Sequence, residues 1–138
     1  YVSKAIIPGM TERNSGFIIN IGSIAGKEVY PNGNVYCASK HAVDALTNGM
    51  RMDLNPFGIK VMGIHPGLVE TEFSLVRFKG DEKRAETIYQ GYTPLLAQDI
   101  ADIMEFALTR PPHVVLADVV VLPTAQASAT VIKKNLSV

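Results

Sequence analysis

The chain has 138 residues, 47% of them hydrophobic and 19% charged, enough for one compact domain with a core of moderate size. Its 13 basic and 13 acidic residues cancel and are scattered without runs, which argues against nucleic acid or anionic lipid as a partner. No stretch approaches the about eighteen apolar residues of a membrane span, so no membrane partner is expected, and a single cysteine, Cys37, excludes an internal disulfide.

Val2, Ala5, Ile6, Gly9 and Met10 recur at helical spacing and predict an opening helix to about Glu12. No Ser, Thr, Asp or Asn cap precedes it and no initiator Met is present. The chain is therefore expected to begin inside a helix. Phe17 to Ile21, bounded by Gly16 and Gly22, reads as a short buried strand. A loop at Pro31–Asn34 leads into a long helix from about Tyr36 to Asn55, ended by Pro56 and Gly58. A strand from Lys60 to His65 runs into a turn at Pro66, and a helix around Gln98 to Thr109 precedes a last strand near Asp118 to Leu122. Alternating helix and strand argues for an α/β fold with a parallel sheet covered by helices. The long, charged stretch from Glu70 to Pro94 has the character of a lid. No repeat, low-complexity tract or linker appears, and residues 1–138 are read as part of one domain.

The chemistry concentrates at Ser23, Tyr36 and Lys40. Positions i and i+4 share a helix face, so Tyr36 and Lys40 can reach one cleft, where a nearby cation favours a phenolate and makes tyrosine a usable acid or base. Ser23, set where strand gives way to loop, can hydrogen-bond a substrate carbonyl oxygen. The remaining candidates carry less. Cys37 is read as core packing, as are Met50, Met52, Met62 and Met104, and Lys79, Lys83 and Arg84 as solvated. His41, His65 and His113 lie far apart, and neither their spacing nor the nearby acidic residues suggest a catalytic or metal cluster, so none is expected.

Gly16-Phe17-Ile18-Ile19-Asn20-Ile21-Gly22-Ser23-Ile24-Ala25-Gly26, the run from Asn34 to Val43 and Ile64-His65-Pro66-Gly67-Leu68-Val69-Glu70-Thr71 together resemble the short-chain dehydrogenase/reductase family, from Tyr1 to about Thr130. The segments Glu72–Asp81, Arg110–Val114 and Pro123–Gln126 are similar to its branch acting on serine and other 3-hydroxy acids. The resemblance implies the C-terminal half of a Rossmann-type doubly wound parallel sheet. It implies Tyr36 as acid/base, Lys40 as the group that tunes it and binds the nicotinamide ribose, and Ser23 as the residue orienting the substrate oxygen. Pro66 and Gly67 would lie against the nicotinamide, with Val69 near its carboxamide and Thr71 near the phosphates. Tyr30 would border the substrate, and Arg77 is expected to pair with a substrate carboxylate through two parallel hydrogen bonds. The cofactor implied is NADP, with NAD as the alternative; the complete enzyme would be a cytoplasmic homo-tetramer.

The Gly-rich phosphate turn, an Asn-Asn-Ala-Gly stretch and the family's catalytic asparagine are absent from these residues and are expected upstream, so the dinucleotide-binding half is taken to be missing. An exposed parallel-sheet edge would then make the 138 residues unstable alone. Two other readings stay open: a short-chain reductase of a different ketone or alcohol, and a non-catalytic fragment or interaction module.

Overall fold

A computed structural model describes residues 1–135. Three strands, β1 (Phe17–Ile21), β2 (Lys60–Pro66) and β3 (Asp118–Val121), form a parallel sheet in the order β1-β2-β3. Register runs Phe17 to Lys60 through Ile21 to Ile64, and Gly63 to Asp118 through Pro66 to Val121. Helix α1 (Val2–Glu12) precedes β1, and α2 (Asn34–Leu54) makes the crossover to β2. The return to β3 passes through α3 (Phe73–Arg77), α4 (Glu82–Tyr89) and α5 (Ala97–Leu108).

All but the first residue of β2 are buried, as a central parallel strand covered on both faces requires. Its alternate side chains divide the core in two. Val61 joins Ile18, Leu54 and Ile59 beneath α1 and α2, while Met62 and Ile64 meet Ile100 and Ala107 of α5 on the opposite face. The expected strands and long helices are present; α2 starts two residues earlier than predicted, at Asn34, whose side chain accepts from the Val35 N–H. Met62, Met50 and Met104 pack in or against the core, but Met52 is 76% exposed on the outer face of α2. Helical spacing alone could not tell its face from that of Met50. The segment expected as a lid contains α3 and α4; Asp81 caps α4 by accepting from the Arg84 N–H, and Arg84, exposed as expected, lays its guanidinium 4.4 Å from the Phe78 ring centre. No helix among the described residues is long and apolar enough to cross a membrane.

A polar cluster sits on the α2 face of the sheet and corrects the expectation for His65. Its ring is 1% exposed, with Nε2 2.6 Å from Asp118 Oδ1 and 3.6 Å from Asp44 Oδ1. The acidic neighbours are 21 and 53 residues away, so only the fold reveals them. Neither ring nitrogen has an aligned hydrogen-bond partner, so these are close approaches without hydrogen-bond geometry. Lys27 Nζ closes the group, 2.8 Å from Asp44 Oδ1 and 2.9 Å from Asp118 Oδ2. Burial would push the Lys27 ammonium down, yet the Asp44 and Asp118 carboxylates outweigh it and hold its pKa above the ordinary lysine value. Burial would likewise raise the Asp118 carboxyl, but the Lys27 hydrogen bond and the field of His65 hold it below the usual carboxylate range.

Two outcomes follow for a full-length protein carrying this segment. Ile64→Ala, at a fully buried position, should lower stability in urea by about 2–5 kcal/mol with an unchanged m value, whereas Leu108→Ala, at a largely exposed one, should change it by about 0.5 kcal/mol. Because the folded pKa of Asp118 is depressed, its contribution is present above the unfolded value and lost as pH falls through the folded one. The stability gap between the parent and Asp118→Asn should therefore be full at neutral pH and close below about pH 4; a gap persisting in acid would assign the effect to packing.

Candidate active site

Parallel strands end at one edge of a sheet, and the segments leaving the three strands here converge on a cavity of about 610 Å³. Gly22 and Ser23 reach it from β1, Pro66–Val69 from β2 and Gln126 from the segment after β3, while Tyr36 enters from α2 and Arg77 from α3.

Ser23 is nearly buried and caps the 3-10 turn Ile24–Gly26, its Oγ accepting from the Ala25 N–H at 3.1 Å. That bond uses a lone pair and leaves the hydroxyl hydrogen available to an oxygen in the cavity. Tyr36 lies in the first turn of α2, its ring 5.7 Å from that of Phe73. Lys40, one turn on, stands behind the tyrosine rather than on the cavity wall. Its Nζ is 5.8 Å from the Tyr36 ring centre and 3.4 Å from the Ile21 carbonyl, to which it donates. Burial pushes the Lys40 pKa down. A Cβ at Gly26 would lie 2.7 Å from the Lys40 carbonyl oxygen, so glycine lets the serine turn and the lysine turn meet backbone to backbone.

The turn after β2 is fixed by residues that sequence reasoning did not single out for the site. Gln126, almost fully buried, accepts from the Leu68 N–H at 2.9 Å and donates from Nε2 to the Ser128 carbonyl at 3.1 Å. A Cβ at Gly67 would strike the Gln126 amide oxygen. Tyr89 donates to the Val69 carbonyl at 3.0 Å and takes a hydrogen bond from Ser74 at 2.8 Å, tying α3 and α4 to the turn. Spacing in the chain carries no signal for either residue; both act across the fold. Leu68 and Glu70 use the edge facing Leu95, so the Val69 N–H points away from that bridge and has no acceptor among the described residues. Thr71 accepts from the Phe73 N–H, which leaves its O–H free to donate.

On the α3 side, Arg77 lies 5.8 Å over the Tyr30 ring, and both line the cavity. Burial raises the Tyr30 pKa, against the opposing influence of Arg77. Cys37 is buried away from the cavity, in agreement with a packing role. The structure thus brings Ser23, Tyr30, Tyr36, Pro66, Gly67, Val69, Thr71 and Arg77 to one cavity, with Lys40 behind Tyr36.

Comparison with known proteins agrees with this architecture. A serine dehydrogenase in its closed form complexed with NADP+ superposes with a TM-score of 0.91 at 42% identity, over 100% of this chain and 54% of that one. The NADP-dependent 3-hydroxy acid dehydrogenase of Schizosaccharomyces pombe is 44% identical over 128 residues, 93% of this chain and 49% of that protein. The enzyme of the same name from Escherichia coli strain K12 is 44% identical over 130 residues, 94% and 52% of the two chains. The chain spans about half the length of the curated relatives it matches. The sequence profile of the short chain dehydrogenases matches residues 1–81, more than half of the chain, and with these likenesses it establishes that the chain belongs to the short chain dehydrogenase family.

Proposed function

We propose that this chain forms the catalytic part of an oxidoreductase that transfers a hydride between NADP and the carbinol carbon of a small 3-hydroxy acid such as serine. The observation that carries the reading is the convergence of Ser23 and Tyr36 on one cavity with the Lys40 ammonium behind the tyrosine. The names of the two 3-hydroxy acid dehydrogenases and of the serine dehydrogenase support the substrate class and the cofactor.

The residues present suit a nicotinamide. Pro66 and Gly67 offer an apolar turn, the unmatched Val69 N–H suits a carboxamide oxygen, and the Thr71 hydroxyl can donate to a phosphate. The bound cofactor supplies the hydride acceptor. The protein manages the proton and the geometry. Tyr36 takes the hydroxyl proton during oxidation and returns it during reduction. Ser23, with its O–H uncommitted, donates to the same substrate oxygen and stabilises charge that develops there. Lys40, held by the Ile21 carbonyl, places positive charge beside the phenol, and a ribose hydroxyl would be bound by this ammonium if the cofactor extends behind Tyr36. Arg77 and Tyr30 define the acid-binding side, where a guanidinium can hold a carboxylate with two hydrogen bonds. In this reading the complete enzyme is a cytoplasmic homo-tetramer, for which exposed Val35, Leu46 and Met52 on α2 supply apolar contact surface.

The test uses a full-length protein carrying this segment, assayed with serine and 3-hydroxypropionate and with NADP and NAD separately. Tyr36→Phe should lower kcat by about 10²–10⁴-fold while NADP affinity stays within about threefold; turnover within about tenfold of the parent would remove Tyr36 from the acid/base role. Arg77→Met should raise the KM for serine by about tenfold or more and leave kcat for a neutral secondary alcohol unaltered. An unchanged KM would dissociate Arg77 from the carboxylate. Turnover of neutral alcohols alone would remove the hydroxy acid assignment.

A further inference from the structure

We propose that Lys27, Asp44, His65 and Asp118 form a positioning cluster that sets the distances between the three catalytic segments from behind. The proposal deepens the functional reading above and rests on it. None of the four residues lines the cavity, so each acts through another group.

Each of three members sits next to one piece of the site. Lys27 follows Ser23 by four residues across the 3-10 turn, Asp44 follows Lys40 by one turn of α2, and His65 immediately precedes Pro66. The fourth, Asp118, opens β3 and is the fixed post to which Lys27 and His65 are tied. Their separations are therefore set by one network rather than by three independent loops.

Close backbone packing carries the constraint forward. The His65 ring lies where Cβ atoms at Gly22 and Gly63 would be, the latter 2.6 Å from His65 Nε2, so the imidazole rests on the peptide that leads into Ser23. Gly26 rests in turn on the Lys40 carbonyl. A displacement of the cluster has little slack to absorb it before it reaches the serine hydroxyl or the lysine.

The charges explain why the arrangement holds. Lys27 Nζ lies between the Asp44 and Asp118 carboxylates, so the chain itself supplies a counter-charge to both. Without that ammonium the Asp44 and Asp118 carboxylates lose the group that ties them together, leaving the His65 imidazole as their shared neighbour, and α2 is held less tightly to β3 at this point. Arg51 holds the helix independently, donating from Nε to the Val61 carbonyl at 2.8 Å and from Nη2 to the Ala117 carbonyl. Loss of Lys27 should then loosen the N-terminal part of α2, where Tyr36 and Lys40 stand, while the rest remains docked. Misplacement of about 1 Å can cost a reaction about 100-fold.

The experiment compares Lys27→Met, Lys27→Arg and Asp118→Asn in the full-length protein, with serine and NADP. Lys27→Met should lower kcat by about 10- to 100-fold, with the KM for serine and the Kd for NADP within about threefold, in protein shown by thermal unfolding to be folded at the assay temperature. Lys27→Arg should recover kcat to within about threefold, since a guanidinium can span both carboxylates. Asp118→Asn, at a partly exposed position, should repeat the selective loss of kcat and serves as the deciding variant if Lys27→Met unfolds. A kcat within about threefold of the parent in the folded variant, or a loss that arginine fails to recover, overturns the proposal. Tyr36→Phe run in parallel separates the two failures. If it abolishes turnover and Lys27→Met does not, the positioning role alone falls; if Tyr36→Phe also leaves turnover intact, the reading of the site falls with it.

Discussion

Parallel pairing of β1 and β3 with β2 is the constraint on which the rest depends. Strands that run the same way must end on the same edge, so the segments after Ile21, Pro66 and Val121 are delivered to one crevice. Burial of β2 on both faces fixes the register, because a slip by one residue would move His65 and Val61 to the α5 face and Ile64 to the α2 face. The geometry of the site is in this sense a consequence of core packing. Side chains with no chemistry of their own decide where Ser23 and Gly67 stand.

That delivery also demands close approach between backbones, which side chains would prevent. Gly26 meets Lys40, Gly22 meets His65 and Gly67 meets Gln126, each at a separation a Cβ would violate. Buried polar groups then lock what the glycines allow. Gln126 spends its amide on the Leu68 N–H and the Ser128 carbonyl, and Tyr89 spends its hydroxyl on the Val69 carbonyl, so the turn after β2 is held from the C-terminal segment and from α4. The same economy appears at Ser23, whose acceptor side holds its own loop while its donor side stays free.

Much of this was legible in the residues. A short apolar run between Gly16 and Gly22 announced β1, Pro56 and Gly58 marked the end of α2, and the Tyr36, Lys40 and Ser23 spacing pointed to one cleft. What escaped is tertiary. Helices α3 and α4 are short; α3 leaves Phe73, Leu75 and Val76 exposed and buries Ser74, which bonds Tyr89, and Asp81 caps the polar α4. Met52 and Met50 differ only in face, which the identity of the residues does not record. His65 had no acidic neighbour within reach along the chain, and its partners arrive from α2 and β3 only once the sheet is formed.

The placement of Lys40 shows how these levels join. Withdrawn from the cavity wall, it meets Tyr36 on one side and the Ile21 carbonyl on the other, so a residue at the end of a core strand orients the cation of the site. Burial disfavours its charge, and within reach the compensating contacts are a carbonyl dipole and an aromatic face, not a carboxylate. A carboxylate there would neutralise the ammonium and cancel the field at the phenol. The acidic side chain one turn further along α2, Asp44, is instead engaged by Lys27. Segregating the carboxylates into a cluster with their own cation leaves the charge of Lys40 available to the chemistry; helix periodicity makes Lys40 and Asp44 neighbours on one face of α2, so the separation is owed to Lys27, which holds the Asp44 carboxylate.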